Sequence, residues 1–167
     1  MSSLKHIGVL TSGGDCPGLN ACIRAVVRSA LQAGLKVTGF YHGYDGLMAG
    51  ESMLLDHRAV SGIVNRGGTI LHSSRSENFR TRAGIKKAAQ ALEEKKIQGL
   101  IIIGGNGSLQ GASELAAHTA IPIIGIPKSI DNDIGGTEFA IGFDTAVNTV
   151  VEAIDKIRDT ATSHDLL

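Results

Sequence analysis

The sequence predicts an α/β protein with a mostly parallel β-sheet that is covered by helices on both faces. Two observations lead to this prediction. Short runs of large aliphatic residues alternate with longer segments of helical periodicity, and glycine doublets fall where these elements end. Such alternation is typical of βαβ units, whose right-handed crossovers bring successive strands together in one sheet.

The first forty residues have the pattern of one βαβ unit. We predict a strand from His6 to Thr11, a turn at residues 12–18 and a helix from Leu19 to Ala33. Gly34 suits the position after a helix, where a left-handed backbone is common. A second strand is expected from Lys36 to Tyr41.

The rest of the chain continues the alternation, with weaker signals between residues 43 and 79. After a loop we expect strands at 53–55, 69–71, 98–103 and 121–126, and helices at 59–65, 81–96, 108–118 and 145–160. The β-branched run at 121–126 is typical of a buried parallel strand, and Pro127 is expected to end it. On the last helix, Glu152 and Lys156 have the spacing of an external ion pair.

Size and charge exclude several classes of protein. A chain of 167 residues suits one domain. Basic and acidic residues are equal in number, 16 each, so there is no net positive charge to attract nucleic acid or a membrane surface. No apolar run approaches the roughly 20 residues that span a bilayer, and residues 1–6 lack a signal-peptide core. We therefore expect a cytoplasmic protein. Cys16 and Cys22 lack zinc-ligand spacing and are expected to be free thiols.

Two glycine-rich turns follow predicted strands and open predicted helices. The first, residues 13–18 (GGDCPG), can turn its backbone amides and a helix N-terminus towards an anion. It is not a Walker A loop, because Leu19 and Asn20 replace the required Lys and Ser or Thr. The second turn is residues 104–108 (GGNGS). Together they favour a polyphosphate ligand, although glycines that simply permit a tight turn are the alternative.

Asp131 and Asp133 come directly after the predicted strand at 121–126. In open α/β sheets the carboxyl ends of the strands bind ligands, and a carboxylate there can take a proton from a substrate hydroxyl. An Asx-rich turn is the alternative. Arg75 also follows a predicted strand, so it could stabilise charge on a transferring phosphoryl group or simply be a surface residue.

Several segments together resemble the phosphofructokinase family, and bacterial members in particular. They are residues 7–20 (IGVLTSGGDCPGLN), 65–69 (NRGGT), 104–108 (GGNGS), 127–133 (PKSIDND), 142–146 (GFDTA) and 151–155 (VEAID). The resemblance implies a three-layer αβα sandwich, with residues 1–167 as the nucleotide-binding domain. It also implies a glycolytic kinase that uses ATP and Mg²⁺ to phosphorylate the 1-hydroxyl of fructose 6-phosphate, and a homo-oligomer, since family members resemble tetramers.

The resemblance also implies roles for individual residues. Asp131 would be the base, Ser129 would lie near the transferred phosphoryl group, and Asp133 would help to organise the site. The implied substrate-binding residues are Ser129, Ile130, Asp131 and Asp133. The implied nucleotide-binding residues are Gly14, Arg75, Gly105, Asn106, Gly107 and Ser108, and Arg75 would also act in catalysis.

Departures from the family pattern leave some of these expectations open. Asn106 stands where the family has an Asp that helps to hold magnesium, and its amide keeps an oxygen but loses the charge. Gly107 resembles the ATP-using members, whereas Lys128 also occurs in pyrophosphate-using members. We expect ATP, with pyrophosphate as the alternative. Arg24 and Arg28 match residues that hold an allosteric effector, but a third arginine is replaced by His57.

The matching family members continue beyond residue 167 into the half that binds the sugar phosphate. Without that half we expect the isolated polypeptide to be a weak or inactive kinase with exposed apolar surface. The alternatives to a kinase are a nucleotide-binding or regulatory module without turnover, and a non-functional truncated product.

Overall fold

The computed structural model describes residues 4–164 as a five-stranded sheet flanked by helices. The strands are β1 (His6–Ser12), β2 (Lys36–Phe40), β3 (Ser52–Leu54), β4 (Gly99–Gly104) and β5 (Ile123–Pro127). The helices are α1 (Leu19–Gln32), α2 (Gly43–Ala49), α3 (Arg82–Glu94), α4 (Asn106–Ala116) and α5 (Phe143–Ser163), with a 3₁₀ helix at Asn78–Arg80. The expectations about a signal peptide and the chain's last residues rest partly on 1–3 and 165–167, outside the described part.

The strand order is β3-β2-β1-β4-β5, and every pairing except that of β2 with β3 is parallel. Alternate side chains of the central strands point to opposite faces. Leu10 and Ile102 join a buried cluster with α2, α3 and α4, while Val9 and Ile103 join a second cluster with α1. The αβα sandwich with a mostly parallel sheet is therefore confirmed.

The structure corrects the prediction for residues 43–79. The expected loop at 43 is α2, and the expected helix at 59–65 and strand at 69–71 are turns. Gly62 has a φ of 67°, which interrupts a right-handed helix. Residues 69–71 are held by side chains instead of a strand ladder, because Thr69 bonds Thr11 at 3.0 Å and the Ile70 amide donates to Asn20 at 2.8 Å.

The prediction of a buried strand at 121–126 was also inexact. The strand is β5, which includes Pro127, and Ile124 is 61% exposed. β5 lies at the edge of the described sheet, where a proline without an amide proton is tolerated.

α4 and α5 begin two residues earlier than expected, and Glu152 pairs with Lys156 at 2.5 Å as predicted. No helix among residues 4–164 has the length and apolar character needed to cross a bilayer.

We predict that Asn20→Ala destabilises the fold by about 2–3 kcal/mol, because it removes three hydrogen bonds between a buried side-chain amide and the backbone of residues 66–70. Asn20 is 2% exposed, donates to the carbonyls of Arg66 and Gly67, and accepts from the Ile70 amide. Urea unfolding measures the loss. The exposed Asn148→Ala variant on α5 is the control, and an equal loss in both would contradict this role for Asn20.

Candidate functional site

A cleft of about 640 Å³ opens at the carboxyl ends of β1, β4 and β5. This is the edge at which parallel sheets bind ligands. The first glycine turn, the segment 74–80, the start of α4 and Lys128 line the cleft. The full set is Ser12, Gly13, Gly14, Tyr44, Ser74, Arg75, Ser76, Phe79, Arg80, Gly105, Asn106, Gly107, Ser108, Gln110, Gly111, Glu114 and Lys128.

The first glycine turn lies against the segment that carries Arg75. Gly13 has a φ of 89°, a conformation that favours glycine, and its amide donates to the Ser74 carbonyl at 3.0 Å. A Cβ atom added to Gly14 would lie 3.9 Å from Nη2 of Arg75. The guanidinium group therefore lies beside the glycine turn and faces the same cleft.

The second glycine turn is locked to the first through a buried pair of serines. The Ser108 hydroxyl donates to the Ser12 hydroxyl at 3.0 Å, with both side chains buried. A Cβ atom on Gly104 would lie 2.4 Å from Cβ of Ser108, so this packing requires glycine. No side chain of the described residues caps the N-terminus of α4. Its first amides are therefore available to an anion in the cleft.

Lys128 places a buried ammonium group between the two turns. It is 5% exposed, its Nζ donates to the Gly14 carbonyl, and a Cβ on Gly13 would lie 3.6 Å from that nitrogen. Burial lowers the pKa of Lys128, with Cys16 and Asp15 acting in the opposite direction and Arg75 adding to the decrease. An anion in the cleft would offset this cost of burying the charge.

The expected carboxylates lie beside the cleft and do not line it. Asp133 accepts from Ser129 Oγ at 2.8 Å and from Asn106 Nδ2 at 3.2 Å, and the Asp131 amide donates to Ser129 Oγ at 3.0 Å. Both carboxylates are exposed. Asn106 thus joins the edge of the cleft to the segment that carries Asp131.

Asn132 fixes the conformation of this carboxylate segment. Its φ is 51°, its amide group donates to the Glu138 carbonyl at 2.9 Å, and its oxygen accepts from the Ala140 amide at 2.9 Å. The Ser129 amide also donates to the Ile141 carbonyl at 3.1 Å. Asn132 was not among the predicted site residues, although Asn is one of the few residues besides glycine that tolerate a left-handed backbone.

The structure brings together some of the predicted residues and separates others. The cleft contains Gly14, Arg75, Gly105, Asn106, Gly107 and Ser108, whereas Ser129, Ile130, Asp131 and Asp133 lie outside its lining. Arg24 and Arg28 lie on α1 and do not line it, and Arg24 donates to the Val60 carbonyl at 2.5 Å. Effector binding by these arginines stays a prediction.

Sequence reasoning missed an aromatic wall of the cleft. The rings of Tyr44 and Phe79 stack with centroids 3.7 Å apart, and the Tyr44 hydroxyl donates to the Ser108 carbonyl at 2.6 Å. Burial raises the pKa of Tyr44, so the phenol stays a hydrogen-bond donor. The sequence contains only a weak signal for this pair: aromatic residues are scarce, at 4% of the chain, and Tyr44 follows a glycine.

The residues at the edge of the cleft suit a divalent cation that is carried by phosphates. Among residues 4–164, no cluster of three or more His, Cys, Asp or Glu side chains could hold a metal by itself. Asn106 and Asp133 offer one amide and one carboxylate in mutual contact. Mg²⁺ commonly takes one or two such ligands and completes its shell with phosphate oxygens and water.

Comparison with known proteins identifies the family. The family profile described as "Phosphofructokinase" matches residues 6–167. The chain belongs to the phosphofructokinase family. This membership agrees with the glycine turns and the Pro127–Asp133 segment on which the resemblance was based.

Two curated relatives from bacteria are about twice as long as this chain. The chain is 56% identical over 162 residues to "ATP-dependent 6-phosphofructokinase" of Halalkalibacterium halodurans and 57% identical to the protein of that name from Natranaerobius thermophilus. Each alignment covers 97% of this chain and 50% of the relative. Phosphofructokinase from Saccharomyces cerevisiae superposes with a TM-score of 0.87 and 38% identity, over 96% of this chain and 25% of that chain.

We predict that the stabilities of the wild type and Lys128→Met diverge as the pH rises. The pKa of Lys128 is lowered by folding, so the folded state releases its proton before the unfolded state does. The cost of burying the charge is full below the folded pKa and is relieved as the pH rises towards the ordinary value of 10.5.

Urea unfolding at pH 7.5, 9 and 10.5 measures this divergence. The free energy of unfolding of the wild type should increase relative to that of Lys128→Met, whereas the exposed Lys87→Met control should stay parallel to the wild type. Parallel curves for all three proteins would contradict the assignment of a buried ammonium group.

Proposed function

We propose that this chain supplies the nucleotide-binding part and the base of a kinase that transfers the γ-phosphoryl group of ATP to the 1-hydroxyl of fructose 6-phosphate. One observation carries the proposal: two glycine turns, Arg75 and Lys128 line a single cleft that adjoins the Asp131 segment. ATP as the donor is supported by the names of relatives that share more than half of the aligned residues.

The cleft supplies the groups that a polyphosphate requires. Backbone amides at the start of α4 bind phosphate oxygens, and Arg75 faces the charge that develops during transfer. Magnesium, when bound with the nucleotide near Asn106 and Asp133, would neutralise phosphate charge. We further propose a cytoplasmic homo-oligomer, in line with the family resemblance.

Asp131 would take the proton of the sugar hydroxyl. Its carboxylate is exposed, and no residue of the described range 4–164 donates a hydrogen bond to it. Ser129 Oγ accepts a hydrogen bond from the Asp131 amide and donates its own proton to Asp133. Asp131 is therefore open to an incoming hydroxyl group, as a general base must be.

The sugar-phosphate part of the site would come from a further polypeptide half. The chain spans about half the length of its curated relatives, and α5 has no buried residue. Its exposed apolar side chains are Val147, Val150, Val151, Ile154 and Ile157. We propose that this face packs against the sugar-binding half of the family, supplied in the same chain or by another.

We predict that Asp131→Asn lowers turnover by roughly 10²–10⁴-fold and leaves ATP binding unchanged, because it removes only the proton acceptor. A coupled assay measures fructose 6-phosphate phosphorylation with Mg²⁺ and either ATP or pyrophosphate, while calorimetry measures binding of each donor. The assay uses this chain mixed with the part of the Halalkalibacterium halodurans enzyme that it does not match. Glu94→Gln, at the exposed end of α3 and away from α5, is the control.

The outcomes separate the candidate functions. Turnover with ATP that depends on Asp131 supports the proposal, and turnover with pyrophosphate alone would replace the donor. ATP binding without turnover in the completed mixture would favour a nucleotide-binding module. Full turnover by Asp131→Asn would refute the role of this carboxylate.

We predict that Ile154→Lys abolishes association with the complementary half while leaving the stability of this chain unchanged, because Ile154 is 55% exposed on the α5 face. Analytical ultracentrifugation of the mixture measures association, and thermal unfolding measures stability. Thr149→Lys places the same charge on the opposite side of α5 and should associate normally. Equal association of both variants would disprove the α5 interface.

A further inference from the structure

Asp45 contacts both neighbours of Arg75. This half-buried residue lies in the first turn of α2. One carboxylate oxygen accepts from the Ser74 hydroxyl at 2.7 Å, and the other accepts from the Ser76 hydroxyl. The residue between these two serines is Arg75, which lines the cleft.

The segment that carries Arg75 depends on such contacts for its conformation. Residues 72–77 contain no helix or strand, so their backbone is not fixed by a regular ladder. Ser74 Oγ also lies 2.7 Å from the His42 carbonyl, so its single proton is shared between that carbonyl and Asp45, and the Ser74 carbonyl accepts from the Gly13 amide. Ser76 Oγ accepts from the Phe79 amide at 3.1 Å. The two carboxylate oxygens of Asp45 therefore hold the segment on both sides of Arg75, at the point where it lines the cleft.

Asp45 fixes this segment without neutralising Arg75. The ion pairs found among residues 4–164 are Glu77 with Arg80 and Glu152 with Lys156. Arg75 belongs to neither pair, and its guanidinium lies beside Gly14 instead. The carboxylate therefore uses its hydrogen bonds on the flanking serines and leaves the cation available for a phosphate group.

We propose that Asp45 is a positioning residue for phosphoryl transfer. Through Ser74 and Ser76 it holds Arg75 against the first glycine turn, where the guanidinium meets the phosphates of the bound nucleotide. This inference rests on the proposed function, because it assumes that a polyphosphate occupies the cleft.

A merely structural role for Asp45 is the alternative that an experiment must exclude. An acidic residue in the first turn of a helix also interacts favourably with the helix dipole. Its neighbour Tyr44 stacks on Phe79 and bonds the Ser108 carbonyl, so damage to α2 would also disturb the cleft. The two roles differ in whether the effect of Asp45 requires Arg75.

The test is a double-mutant cycle on MgATP binding, measured by calorimetry with the full 167-residue chain. Asp45→Ala should weaken binding roughly tenfold, as expected when one charge-assisted contact is lost. Arg75→Ala should weaken binding at least as much. In the Arg75→Ala background, Asp45→Ala should cause no further loss, because the residue through which it acts is absent.

Two further variants keep the test decisive if Asp45→Ala folds poorly. Ser74→Ala/Ser76→Ala removes the bonds to Asp45, together with those to His42 and Phe79, without changing a residue of α2, and should cause a loss of at least tenfold. Asp155→Ala removes one exposed carboxylate from α5 and should bind MgATP like the wild type. Thermal unfolding of every variant shows whether a change in binding accompanies a change in stability.

Three results would overturn the inference. Wild-type affinity in Ser74→Ala/Ser76→Ala and Asp45→Ala would refute it while leaving the proposed function intact. An equal loss from Asp45→Ala with and without Arg75 would show that Asp45 acts through the fold. Absence of MgATP binding by the wild-type chain would overturn the proposed function, and the inference with it.

Discussion

The buried hydrogen bond between Ser108 and Ser12 joins the end of β1 to the first turn of α4, the helix that follows the neighbouring parallel strand β4, and the geometry of the cleft depends on it. It forms because β1 and β4 run in register, with Ser12 opposite Gly104. Ser108 packs directly against the strand at Gly104, where its side chain leaves no room for a Cβ atom. A satisfied polar pair in a buried position is geometrically demanding, which fixes the start of α4 relative to the first glycine turn.

Positive and negative groups are separated around this framework. Lys128, Arg75 and the amides of α4 surround the cleft, while Asp131 and Asp133 lie outside its lining. This arrangement suits an anion beside Lys128 and Arg75 and a proton acceptor outside the cleft, and the carboxylate of the lining, that of Glu114, lies about two turns along α4 from its N-terminus. Asn106 contacts Asp133 across the boundary between the two regions. A neutral amide at that point adds no further negative charge to the edge of the cleft.

The packing of the fold is uneven in a way that matches the half-length alignments. The central strands and α1 to α4 bury two apolar clusters, whereas β5 and α5 expose Ile124 and a row of valines and isoleucines. Exposed aliphatic rows of this kind are uncommon on isolated domains and mark contact surfaces. The relatives are about twice as long, so they contain further chain that could cover these faces.

The sequence by itself determined the fold class, the principal strands and helices, and the two glycine turns, because these depend on local periodicity and on glycine at helix starts. It also predicted roles for Arg75, Asn106 and Asp131 through the resemblance to the family. The tertiary structure decided the rest. The segment 59–71 is shaped by long-range bonds from Asn20 and Thr11, and the Tyr44–Phe79 wall and the contacts of Asp45 join residues about 30 positions apart. Contacts between distant residues leave no periodic signal in the chain, so only the folded arrangement shows them.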